Sequence, residues 1–127
     1  MNKSMRFILW FIFLLLCFSI FYYSWLPQPS FKSESYLPAW LIKWTDEYGT
    51  LRTEVPFLFL GANAVLLKIK RLTNIIIFAG LFVLLFIAEL GQLFLPNRHF
   101  DVWDIIVGSI SIWIGIFVGR MLLKMLR

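Results

Sequence analysis

Apolar residues run along this chain in long blocks separated by short polar intervals. The first block, Phe7 to Leu26, carries no charge. At ~1.5 Å per residue a helix of that length reaches about 30 Å, the thickness of one bilayer core. Tyr22, Tyr23 and Trp25 form an interfacial belt at its end, and Pro27 and Pro29 stop it. Leu72 to Leu95 predicts a second span, and Ile105 to Leu123 a third with Arg120 near its end. A shorter block, Val55 to Leu67, contains Asn63. Extended back to Leu51 it is long enough to cross, and it then takes in Arg52 and Glu54 near the water boundary. The pattern predicts an all-α polytopic membrane protein: a single membrane domain over 1–127 with four transmembrane helices, at 7–26, 51–67, 72–95 and 104–123. Between the first two spans, Leu37, Leu41, Trp44 and Tyr48 recur at helical spacing beside Trp40. That predicts a short amphipathic helix over 36–48, lying on the outer leaflet as a tether or as a docking surface for an amphiphile.

Charge placement supports four spans. With both termini in the cytoplasm, the inner side holds Lys3, Arg6, Lys68, Lys70, Arg71, Arg120, Lys124 and Arg127, and the outer side Lys32, Lys43, Arg52 and Arg98. All the acids, Glu34, Asp46, Glu47, Glu54, Glu89, Asp101 and Asp104, fall in the outer half. This obeys the positive-inside rule. Three spans would put one basic cluster outside. The net charge of +5 then reads as an anchor against anionic lipid rather than a nucleic-acid surface.

Composition agrees. The chain has 127 residues, 61% hydrophobic and 15% charged, where a soluble domain is nearer half apolar and a quarter charged. Lys3 and Arg6 before an apolar run resemble a signal peptide, but the run is too long and no small-residue cleavage site follows, so a retained helix is expected. Cys17 is the only cysteine and sits in an apolar run, where a packed, inert thiol is expected. Nothing in the chain reads as a phosphate loop, a cofactor motif or a metal-spaced cysteine set.

The chemistry gathers in one stretch, Glu89 to Asp104, ELGQLFLPNRHFDVWD. Glu89 lies about six residues before the end of its span, roughly 9 Å inside it. A carboxylate there costs about 2.5–3.5 kcal/mol on insertion scales, so it should face protein or water. Gln92, three residues on, shares its face. Either the pair pins two helices together, or it contacts a ligand or handles a proton. Asp101 can cap the last helix, and Asp104 favours the positive end of its dipole. Asp101, Asp104, Gly108, Ser111, Gly115 and Gly119 also fall within an arc of about 80° at 100° per residue. Such a seam of small residues lets another helix approach closely. Arg98 is the nearest cation to these acids, and Arg52 a second candidate partner. A buried ion-pair network and a recognition pocket both account for such a mouth. His99 alone, even with the acids, does not predict a metal centre.

The same stretch resembles the VanZ-like family of small bacterial membrane proteins. The resemblance rests on Glu89-xx-Gln92, on Pro96-x-Arg98-xx-Asp101-xx-Asp104 and on Gly115-xxx-Gly119-Arg120, within Leu85 to Leu123, roughly a third of the chain. Gly108 stands where the family commonly has asparagine, and Ser111 where a seam glycine is usual. Arg52-Thr-Glu54 occupies the region of the family's Asp-Lys-xx-His pattern. The resemblance implies a multi-pass protein of the bacterial inner (cytoplasmic) membrane, with Glu89, Gln92, Arg98, Asp101 and Asp104 as the matching polar positions. The family's best-known member is associated with resistance to teicoplanin-type lipoglycopeptides, and others occur near envelope-polysaccharide functions. Three expectations follow. One is a non-enzymatic protein that binds or shields an envelope amphiphile at the outer face. Another is an enzyme on lipid-linked envelope glycan intermediates, with Glu89 as its acid–base group. The third is an accessory subunit that packs on a larger envelope protein through the glycine seam.

Overall fold

The computed structural model describes residues 2–25, 36, 38–47, 49–67, 73–95 and 101–126, and for 45–47 and 49–53 the backbone alone. The described residues are all-helical, with no strand among them. The helices are α1 (Lys3–Ser24), α2 (Ala39–Glu47), α3 (Gly49–Leu66), α4 (Asn74–Gly91) and α5 (Val102–Met125), with a 3-10 turn at Gln92–Phe94 extending α4. Local chemistry sets three of the starts. Asn2 caps α1 by accepting from the Met5 N–H at 2.8 Å, and Thr73 caps α4 by accepting from Ile76 at 3.3 Å. Asp101 caps α5 by accepting from Trp103 at 2.9 Å. Each satisfies a donor that a helix start leaves open.

Among the described residues, three helices are long and apolar enough to cross a membrane: α1, α4 with its 3-10 turn, and α5. They turn large apolar side chains outward, among them Phe7, Phe18, Ile75, Val83, Trp113 and Phe117. Two hydroxyls within them are satisfied by their own helix, as suits lipid. The hydroxyls of Ser19 and Ser109 donate to the carbonyls of Leu15 and Ile105, four residues back.

α3 is different. Its apolar stretch, Glu54–Leu66, is shorter. Yet α3 touches α1, α4 and α5, and it supplies Phe57, Leu60, Ala64 and Val65 to the core. Ile20, Ile77, Leu81, Leu85, Ala88, Ile112, Ile116 and Leu123 close around them. Pro56 lies inside α3; it cannot donate to the carbonyl four residues earlier, which loosens the ladder beside Glu54.

The seam on α5 is what α3 fills. A Cβ on Gly115 would overlap the carbonyl oxygen of Leu58, and one on Gly119 would lie 2.9 Å from the Ala62 carbonyl oxygen. Gly61 reciprocates from α3, where a Cβ would lie 2.6 Å from the Ile112 carbonyl oxygen. Gly108, Gly115 and Gly119 are buried and Ser111 half-buried. The expectation that the seam receives a helix therefore has its helix within the chain, and the face proposed for a larger partner is already covered.

These contacts also give directions. Positions 54, 58 and 62 on α3 meet 108, 115 and 119 on α5, so the two helices run parallel. α4 runs against α5: Leu85 lies over Gly108, Phe78 stacks on Trp113 at 4.8 Å between centroids, and the Arg120 side chain donates to Asn74 at 2.8 Å. The ends of α1 and α4 meet, because the Trp25 indole N–H donates to the Ala88 carbonyl at 3.1 Å.

Candidate functional site

Glu54, Glu89 and Asp104 come together at one end of the bundle. Each offers a carboxylate oxygen within 4.8 Å of the others. Glu54 and Glu89 are 0% and 1% exposed, and Asp104 is half-buried. The positions follow from helix periodicity. On α3, Glu54 shares a face with the buried Phe57, Gly61 and Ala64, so it enters the core with them. On α4, Ile77, Leu81, Leu85 and Ala88 mark the buried stripe, and Glu89 belongs to its last turn. On α5, Asp104 stands one turn before Gly108. That glycine makes the room: a Cβ there would lie 3.0 Å from Glu54 Oε2 and 2.7 Å from both Leu85 methyls.

Three carboxylates this close raise a charge problem. At an effective dielectric near 20, two unit charges 4.8 Å apart repel by about 3 kcal/mol. The helix ends pull in opposite directions. Asp104 lies in the first turn of α5, where the dipole favours an anion, and Glu89 in the last turn of α4, where it does not. Balance calls for positive charge at this end: Arg52 or Arg98 from the chain, a shared proton, or a cationic group from outside. Carboxylate oxygens also suit a hard cation, although such ions take six or more oxygen ligands and three would have to be completed by others.

Among the other residues expected here, Gln92 is buried on the 3-10 turn that follows Glu89. Asp101 is exposed and occupied as the cap of α5, so it stands at the rim while Asp104 enters the group. Arg98 and His99 lie outside the described residues, as does the side chain of Arg52. α2 turns Leu41 and Trp44 partly inward, while Trp40 is 71% exposed; Leu37 and Tyr48 lie outside the described residues. Glu54 is the site residue that sequence reasoning missed. Read against hydropathy it marked a water boundary, but its spacing to Phe57, Gly61 and Ala64 is the signal that puts it on the core face. Gly91 was likewise unremarked: a Cβ on it would overlap the Trp25 indole.

Comparisons with family models, curated proteins and solved structures give no match for this chain.

Proposed function

We propose that this chain is a VanZ-like protein of the bacterial cell membrane, acting at the outer face, where it binds or shields the polar part of an envelope amphiphile. The observation that carries the reading is the convergence of Glu54, Glu89 and Asp104 from three helices at one end of an apolar bundle. Carboxylates grouped at a membrane–water boundary accept strongly from amine and hydroxyl groups, and the half-buried Asp104 is the member of the group that reaches the surface. Arg98 is the complement for a phosphate or carboxylate on the same molecule, and the exposed Trp40 on α2 offers an aromatic contact for its apolar part. The four-span topology, with both termini inside, is part of the proposal. The meeting of the α1 and α4 ends supports it, because the chain must recross between them and α3 runs against α4. The excess of basic residues on the opposite side supports the orientation.

The test is growth inhibition of a susceptible Gram-positive host by teicoplanin, beside vancomycin, which lacks the lipid tail. Wild type, Glu54→Gln, Glu89→Gln and Asp104→Asn are compared at matched membrane levels. Protection by wild type alone, and mainly against teicoplanin, is the expected result. Protection that survives all three substitutions would detach the function from the acids, and no protection by any form would remove the proposed phenotype. A second reading draws on the burial of Glu89 beside two other carboxylates: an acid–base role on lipid-linked glycan intermediates. Turnover of such a substrate by purified wild type, lost in Glu89→Gln, would favour it.

A further inference from the structure

Trp25 closes α1, and its ring packs on Phe21 with centroids 5.0 Å apart. Its other contacts are with α4. The indole N–H donates to the Ala88 carbonyl at 3.1 Å. The ring edge occupies the space that a Cβ on Gly91 would need, with Cζ2 2.8 Å from that point. The two contacts bracket Glu89, one residue before it and two after it.

The backbone explains why Ala88 is available. In a continuing α-helix its carbonyl would accept from the N–H of Gln92. Here the Gln92 N–H turns to the carbonyls of Glu89 and Leu90, as the helix tightens into the 3-10 turn. The carbonyl of Ala88 is thereby released from the ladder, and in an apolar setting it must find another donor. The indole supplies it. Gly91, with no side chain, allows the ring edge to come close enough to do so.

We propose that Trp25 is a positioning residue: through Ala88 and Gly91 it fixes the last turn of α4, and so sets where Glu89 stands relative to Glu54 and Asp104. Along its length α1 packs on the core through Ile20 and the partly buried Phe13, Leu16, Cys17 and Phe21. Trp25, at its C-cap, is the residue that reaches the turn carrying Glu89. The inference concerns the carboxylate group itself and holds whatever that group binds.

The experiment uses the full chain in native membranes and an apolar carbodiimide, dicyclohexylcarbodiimide, which modifies membrane-buried carboxyls. The labelling rate of Glu89 is read by mass spectrometry of the protein. Cys17, the chain's only cysteine, half-buried about two turns before Trp25 on α1, is labelled in parallel with N-ethylmaleimide. Trp25→Phe keeps a ring in place but removes the donor. It should label at Glu89 about five-fold faster, the factor that one net hydrogen bond contributes, with Cys17 unchanged. Gly91→Ala should do the same by unseating the indole. In a Trp25→Ala background, Gly91→Ala should add nothing, because the space it fills is already vacant. An unchanged Glu89 rate in both single variants overturns the proposal. So does a Cys17 rate that rises in step with Glu89, which would mean that Trp25 only holds α1 as a whole. A strain that gains no drug protection yet shows the expected labelling leaves this inference standing and removes only the functional one.

Discussion

Single residues carry this bundle's polar interior, and each is placed by a different constraint. Glu89 stands out in sequence because it interrupts an apolar run, and Asp104 because it lies over the small-residue seam. Glu54 has neither mark; its spacing puts it on one face with Phe57, Gly61 and Ala64, and the helices packed on that face bury it. Asn63 belongs to the same interior: it is 6% exposed, and its Oδ1 has no hydrogen-bond partner among the described residues. A buried acceptor left in that state costs roughly 1–3 kcal/mol. Asn63→Leu, close in size and without the polar atoms, is therefore expected to raise the unfolding temperature in detergent. A lowered value would show that the amide contributes a bond of its own.

At the scale of elements, α3 decides the architecture. A helix that faces lipid must be apolar on its lipid side, and α1, α4 and α5 turn large apolar side chains outward. A helix that faces three other helices needs small residues and close fit instead, so α3 can be short, carry Glu54 and Asn63, and still lie at the centre. The parallel α3–α5 contact depends on glycine: at Gly61, Gly115 and Gly119 a Cβ would meet the backbone of the other helix. Gly115→Ala must force the backbones apart at Leu58. A loss of about 1–3 kcal/mol is expected, the usual scale of overpacking. Gly80 has nothing within 4 Å of its would-be Cβ. Gly80→Ala should leave stability unchanged or raise it by up to about 1 kcal/mol through helix propensity. Equal effects of the two substitutions in a denaturation titration would refute the seam as the source of α3–α5 packing.

For the whole molecule the question is orientation. The acid end and the basic end are separated along the bundle: Glu54, Glu89 and Asp104 at one, Asn74 bound to Arg120 at the other. In the proposed topology the acid end faces out. Single cysteines in a Cys17→Ala background test this with a membrane-impermeant maleimide on intact cells. Val102→Cys should be labelled; Ser4→Cys and Lys124→Cys should be labelled only after the membrane is opened. Labelling of Ser4→Cys and Val102→Cys from the same side would mean that an even number of helices crosses between them, so that α3 does not span.

The amino-acid sequence by itself determined the membrane class, three of the spans, the cap on α5 and the face on which Gly108, Gly115 and Gly119 lie. Those properties depend on local length, periodicity and side-chain size, which a sequence states directly. Which helix enters the seam, and which carboxylates meet, were decided only in the tertiary structure. The reason is physical. Glu54 and Asp104 are fifty positions apart, and no local pattern couples them. They meet because Gly108 leaves a space beside Leu85 that a carboxylate on the parallel helix can fill. The same holds for Trp25 and Gly91, an indole and an absent side chain that have no meaning apart and form a contact only once α1 and α4 end side by side.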